Sequence, residues 1–393
     1  MSIPSLTGEG IFFLPDCPTI VLLRLAVMHS DFIVFLNMIQ LVLDDTNIRQ
    51  HLFPFTLTRP AADIRIGILT IRQKWEKLLG IKVRVNGDEY LDPPRTDTQP
   101  VVFAGNIVPT RDFVEQLLKG DYTQEDFMQQ SSVRMLQHPW HIFEYNDWAI
   151  REDFKLVTEG RQTQPLPASV VCIRPENIFI EEGAKLQYCI LNAEAGPIYI
   201  GRNTEIMEGA SIRGPFALCE GAAVKMGTRI YGATTIGPYC LAGGEIKNSV
   251  LFGYSNKAHD GYLGDAVIGE WCNLGAGTTN SNIKNTASNV KVWNEADGHY
   301  LSAGIKCGLL MGDYSRSSIN TSFNTGTVTG VCANIFGEGL LPKYIPSFSW
   351  GAHKPARYEF EKALSDIANW KKLKNHLLTE KEIQQLQHIF DRL

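Results

Sequence analysis

The stretch IGRNTEIMEGASIRGPFALCEGAAVKMGTRIYGATTI, residues 200–236, decides the architecture of the chain. Within it Ile200, Ile206, Ile212, Leu218, Val224, Ile230 and Ile236 follow one another at an unbroken interval of six. Small residues fill the gaps, as in Gly209-Ala210, Gly221-Ala222-Ala223 and Gly232-Ala233. A helix requires apolar spacing near 3.6 and a half-buried strand requires alternation, so neither accounts for a period of six. A triangular coil does: each hexapeptide forms one flat side, and its aliphatic residue points inward to stack on its equivalents in neighbouring coils. The pattern therefore predicts a parallel β-helix.

Upstream, Ile180 and Leu186 share the spacing and belong to the entering coils on this reading. After Ile236 the register falters and resumes at Ile268 and Leu274, which predicts loops projecting from the coil in between. Gln164-Pro165-Leu166-Pro167 marks the junction with what precedes. There, MIQLVL from Met38 and VVFAG from Val101 read as buried strands, while Ile68 to Leu79 and Arg111 to Leu118 read as helices. An α/β layer domain is expected over 38–165, the coil over 166–345 and a helical tail over 346–393. In that tail Tyr358 to Leu373 and Thr379 to Leu393 have helical patterns, the second opening with Thr379 and Glu382 as a capping box. These helices are expected to cover the open end of the coil or to pack on a neighbouring subunit.

A chain of 393 residues suits two cores, and 44% hydrophobic content suits a folded soluble protein. The net charge of -5, from 37 basic and 42 acidic residues, argues against a general nucleic-acid or acidic-membrane binder. Thr19 to Asn37 is apolar, but Arg24, His29 and Asp31 interrupt it before a membrane-spanning length is reached. Residues 1–37 are expected to be an extension preceding the true start, with Met38 opening the first domain. Eight cysteines without a CxxC pair read as reduced, mostly buried small hydrophobes, a usage that favours the cytoplasm.

The run EIKNSVLFGYSNKAHDGYLGDAVIGEWCNLGAGTTNSN, residues 245–282, carries the chemistry. It resembles the acetyltransferase half of the bifunctional GlmU enzymes, and the later run from Met311 to Gly337 resembles their Bacteroidetes and archaeal relatives. His259 and the YLGD of Tyr262 to Asp265 match the family's catalytic histidine and the motif that follows it. Asn273, the GAGT of Gly275 to Thr278, Asn282 and Lys247 match in the same ungapped register. The resemblance implies a left-handed β-helix that acetylates glucosamine 1-phosphate with acetyl-CoA. It also implies a homotrimer with sites between subunits, and a second half that makes UDP-N-acetylglucosamine from UTP with Mg2+.

The residue types suit that reaction. Only the free amine of an amino sugar attacks a thioester, so a base titrating near neutrality is useful, and His259 is the candidate catalytic residue. Either Glu245 or Asp265 would orient its other ring nitrogen. Tyr262, Asn273 and Asn282 offer directional contacts to the sugar and acyl group, and Lys247 and Arg229 offer charge for the phosphate. Gly275, Ala276 and Gly277 would let the pantetheine arm approach the backbone, where a main-chain N–H would hold the oxyanion. Another amino-sugar acceptor, or a non-catalytic scaffold that binds a sugar nucleotide, is the competing reading.

HLFPFTLTRPAADI, residues 51–64, resembles the loop after the glycine-rich element of sugar-phosphate nucleotidyltransferases. The glycine-rich element itself is absent, Ala61 stands at the family's lysine and Asn106 at its metal-binding aspartate. Arg49, Arg59 or Arg65 would have to supply the missing charge, and Asp44 and Asp45 are the candidate metal ligands. Two expectations stand side by side: a divergent uridylyltransferase, or a degenerate domain kept for assembly or regulation.

Overall fold

The structure is a computed structural model that describes residues 41–86, 101–119 and 133–393. The expected extension 1–37, its apolar segment, Cys17 and the opening Met38 lie outside the described residues. Two compact units emerge. One contains 41–49, 60–63, 71–86, 101–119 and 133–135, and the other 50–59, 64–70 and 136–393.

In the first unit a parallel sheet runs in the order Arg84–Asn86, Leu41–Asp44, Val101–Ala104. The helices Ile71–Leu79 and Arg111–Lys119 accompany it; the first starts later than the Ile68 its pattern suggests, because Leu69–Thr70 pair with Arg65–Ile66 as a hairpin. Trp75 organises the core: it stacks on Phe103 with centroids 5.2 Å apart, meets Phe113 edge-on, and donates its indole N–H to the Ile107 carbonyl at 3.3 Å. A buried indole thus has both its apolar body and its single donor accounted for.

The second unit is built on a parallel β-helix with three faces, formed by sheets of six, nine and ten strands. Each hexapeptide residue of the founding stretch lies on the next face in turn. Ile200, Leu218 and Ile236 stack on one face, Ile206 and Val224 on another, and Ile212 and Ile230 on the third. All seven are at most 2% exposed. Ile180 and Leu186 occupy the entering coils, as expected.

The expectation of projecting loops between Ile236 and Ile268 is corrected. The coil continues through that segment with Ala242, Ile246, Leu251, Lys257 and Leu263 at its inward positions. The register falters because corners lose a residue or two and because Ala242 and Lys257 take the place of large aliphatics. The projecting insertion comes later, between the bridged residues Ile283 and Lys306, and contains the hairpin Lys291–Asn294 with His299–Ser302.

Segments that precede the coil in sequence pack on it. Ile68, Ile150 and Val157 share a core with Ala217 and Ala233 of the nine-stranded face. Asn146 accepts from the Gly67 N–H at 2.8 Å and donates to the Ala233 carbonyl at 3.0 Å, while Thr235 donates to the Gly67 carbonyl at 3.0 Å. This covering explains why Phe216–Leu218 and Thr234–Ile236 are buried along their whole length rather than alternating. Phe55 meets Phe252 at 5.2 Å, and beside it Arg59 pairs with Asp313 and, at 2.9 Å, with Glu270.

One corner of the coil places Tyr239, Tyr254, Trp271, Tyr314, Cys332 and Phe348 in the left-handed backbone region, a conformation that costs non-glycine residues about 1–2 kcal/mol each. Ring stacking offsets that cost, with Tyr254 lying 4.3 Å from Trp271 at 3° and 5.2 Å from Tyr239 at 13°. The helices Phe360–Lys372 and Glu380–Asp391 bury Ile367, Leu386 and Ile389 against this corner. They therefore lie along the flank of their own coil rather than only over its open end. The Thr379 and Glu382 capping box forms as its sequence predicts.

Arg59 and Asp313 are 11% and 3% exposed, so breaking their pair leaves a buried charge. Arg59→Ala is expected to destabilise the second unit by about 3–5 kcal/mol, measured as a lowered urea midpoint. A loss below about 1 kcal/mol, the range of exposed pairs, would show that the clamp is dispensable.

Candidate active site

The six-stranded face presents most of the candidate residues, and it does so through register. Ile230, Ile246 and Leu263 point inward, so their neighbours on either side point out. Arg229, Glu245 and Tyr262 form one outward row, and Tyr231, Lys247 and Gly264 form the next. Glu245 accepts from the Tyr231 hydroxyl at 2.5 Å and pairs loosely with Arg229 at 3.7 Å. The Lys247 ammonium lies over the Tyr231 ring at 5.6 Å. Arg229, 59% exposed, keeps most of its surface open for another anion.

Asn282 ties the face to the corner beyond it. Its amide donates to the Tyr262 hydroxyl at 3.1 Å and to the Asp265 carboxylate, which also accepts from Asn248 at 2.7 Å. Burial, followed by the charge of Asp265, pushes the Tyr262 phenol well up, so it acts as a neutral hydrogen-bonding group. Glu144, at the end of the helix His141–Glu144, comes close enough to Asp265 to feel its charge. Desolvation, with that repulsion added, pushes Glu144 up to about 7.

His259 sits in the turn between Asn256–Lys257 and Tyr262–Gly264, at the corner where the ten-stranded face passes to the six-stranded one. Its ring is exposed and makes no hydrogen bond to a described residue. Neither Glu245 nor Asp265, the two carboxylates expected to orient it, is bonded to it; both are engaged elsewhere. The turn backbone, by contrast, is held, with the Asp260 carbonyl accepting from Gly277 N–H at 3.1 Å and the Gly261 carbonyl from Glu245 N–H at 3.2 Å.

Asn273 lies on the ten-stranded face, between Asn256, which donates to it at 3.3 Å, and Arg316 of the following coil. It is therefore not brought together with Tyr262 and Lys247 within one chain. Gly275 to Gly277 form the next corner. A side chain at Gly275 would strike the Ser318 backbone at 2.5 Å, and Gly277 takes φ +74° against Asn320. The N–H groups of Gly275 and Gly277 are spent on the Ser317 and Asp260 carbonyls. Ala276 keeps the one N–H of the three without a partner among the described residues.

In the first unit Asp44 accepts from the Thr46 amide and hydroxyl at 2.9 and 2.6 Å. Asp45 is fully buried, pairs with Arg49 at 3.4 Å and accepts from the Ala61 N–H at 2.6 Å. This geometry does not present the two as open ligands for Mg2+, and no cluster of three or more potential metal ligands occurs among the described residues. The arginines expected to cradle phosphate are likewise engaged: Arg49 with Asp45, Arg59 with Asp313 and Glu270, and Arg65 with the Ile68 carbonyl. Asn248, Glu144 and Lys257 are not among the residues that the sequence singles out. Only Lys257 had a signal in the pattern, as a charged residue at an inward position.

Residues 40–133 and 119–162 match a family model described as sugar nucleotidyl transferase. The bifunctional protein GlmU of Synechococcus elongatus is 25% identical over 218 residues, covering 50% of this chain and 44% of that protein. A bifunctional sugar-1-phosphate nucleotidylyltransferase/acetyltransferase of Sulfurisphaera tokodaii is 29% identical over 157 residues, 35% of this chain and 39% of that one. GlmU of Methanocaldococcus jannaschii is 31% identical over 103 residues, 26% and 25% of the two chains. The chain thus spans less than half the length of these curated relatives. Among solved structures, the Francisella novicida UDP-N-acetylglucosamine acyltransferase aligns over 57% of this chain and 78% of its own, with 14% identity and a TM-score of 0.33.

Fold and sequence together define a sugar-nucleotidyltransferase-like region joined to a left-handed hexapeptide β-helix with terminal helices. The chain is similar to the GlmU-like bifunctional proteins over half of its length or less.

Proposed function

We propose that the β-helix transfers an acetyl group from acetyl-CoA to the amine of glucosamine 1-phosphate, with His259 as general base. The observation that carries this reading is the convergence of Lys247, Tyr262 and Asn282 on one face, beside an exposed imidazole on a fixed turn. His259 accepts the proton that the amine loses as its nitrogen bonds to the thioester carbonyl carbon. The Ala276 N–H is the main-chain donor available to the oxyanion, and His259 returns the proton as the C–S bond breaks and CoA leaves as the thiol. Lys247 and Arg229 hold the sugar phosphate, and Tyr262 and Asn282 its hydroxyls. His259→Ala is expected to lower kcat by about two to four orders of magnitude at an unchanged unfolding midpoint. Near-normal turnover in that variant, followed by thiol release, would remove His259 from the mechanism, and failure of the wild type to bind acetyl-CoA by calorimetry would favour the scaffold.

Asn273 supports a site completed by another copy, because it faces away from the row of Tyr262 and Lys247. The same six-stranded face exposes Val171, Ile173 and Ile190 at 60%, 44% and 45%, an apolar patch of the kind that mediates association. Light scattering is expected to show a trimer; a fully active monomer would contradict a shared site.

For the stretch similar to sugar nucleotidyl transferases, the engagement of Arg49, Arg59 and Arg65 favours a structural role over uridylyl transfer, since phosphoryl chemistry needs concentrated positive charge near the triphosphate. The full chain, given UTP, Mg2+ and N-acetylglucosamine 1-phosphate, is expected to release no pyrophosphate while acetylating normally. Release at a rate comparable with acetylation would restore the uridylyltransferase reading.

A further inference from the structure

Lys257 occupies a place in the coil made for an aliphatic side chain. It pairs in register with Ala242, continuing the inward row of Ile206 and Val224 on the ten-stranded face, and is 1% exposed. The small Ala242 beside it leaves room for the longer chain. A methionine would fill the same volume without the cost of an enclosed ammonium, several kcal/mol in a low-dielectric interior. Lys257 answers that cost with two acceptors, the Gly243 carbonyl at 3.3 Å and the His259 carbonyl.

The second acceptor gives the arrangement its meaning. Three successive carbonyls of the turn are gripped: His259 by the Lys257 ammonium, Asp260 by the Gly277 N–H at 3.1 Å and Gly261 by the Glu245 N–H at 3.2 Å. Two of the grips come from the coils before and after, and the third rises from inside the helix. The turn also lies hard against the preceding coil, where a side chain at Gly243 would meet the Ala258 carbonyl at 2.3 Å. The imidazole itself touches no polar partner among the described residues, so its direction depends on the backbone that carries it.

We infer that Lys257 is a positioning residue, an internal strut that fixes the backbone of His259 from within the coil and so aims its ring at the acceptor amine. The inference rests on His259 being the base of the acyl transfer proposed above. Burial brings the Lys257 ammonium down to about 8, against a smaller opposing pull from Asp260, so it remains mainly charged at neutral pH. The ammonium donates more strongly than a neutral group to the carbonyl it holds.

The test uses the full chain with Lys257→Met and Lys257→Ala. Lys257→Met is expected to unfold at the wild-type midpoint or above it, yet to lose about tenfold to a hundredfold in kcat with little change in KM for either substrate. In Lys257→Ala, added methylammonium is expected to enter the vacated space and restore part of kcat, an effect His259→Ala should not show. A readout independent of turnover is the 1H–15N signal of the His259 imidazole, assigned by its disappearance in His259→Ala, which is expected to move in Lys257→Met. Wild-type kcat with an unmoved signal would overturn the inference, as would a loss of kcat that follows a lowered midpoint and resists amine rescue. If the wild-type chain acetylates no amino sugar while the signal still moves in Lys257→Met, the proposed reaction falls and the strut stands.

Discussion

Every outward position on the coil is set by what stacks inside it. Aliphatic residues superimposed from coil to coil make a dry, close-packed interior in which no inward side chain shifts without displacing its neighbours above and below. With the inward residue of each short strand fixed, pleating alone sends its neighbours out. Arg229, Glu245 and Tyr262 form a row because Ile230, Ile246 and Leu263 do. The coil preserves this phase even where its sides shorten, by trimming corners and leaving the faces intact.

The covering segments solve a different problem. A face buried on both sides cannot alternate polar and apolar residues, and the small Ala217, Ala233 and Thr235 let the chain of 64–70 and 136–158 come within hydrogen-bonding distance. Arg59 belongs to this layer. The stretch that resembles a phosphate-binding loop directs the Arg59 guanidinium to carboxylates of the coil. A guanidinium recognises carboxylate and phosphate by the same planar fork.

Much of this was legible in the sequence. The period of six specified the coil, and the ungapped run from Lys247 to Asn282 singled out Tyr262 and Asn282, which the fold ties to Asp265 rather than leaving Asp265 to orient His259. The faltering of the period was open to misreading, because a shortened corner and an inward Lys257 leave the same trace as a loop. Pattern analysis assumes that inward means apolar, and a lysine with two carbonyl acceptors satisfies the interior without meeting that assumption. The engagement of Arg49, Arg59 and Arg65 was invisible for another reason. Charge can be counted along a chain, but Arg59 finds its partner Asp313 254 positions away, and the local partners of Arg49 and Arg65 depend on how the turn between them folds.

The coil ends in a reversal. Ser349–Trp350 continues the parallel order of the ten-stranded face, and then Ala356–Arg357 returns against it in the opposite sense. A solenoid built of parallel rungs is otherwise an open template, since its final rung offers the same unsatisfied backbone groups that every earlier rung used to recruit the next. Turning the last two residues round changes the polarity of that edge. What remains at this edge is a strand only two residues long, and a short edge strand offers few backbone groups for another chain to pair with.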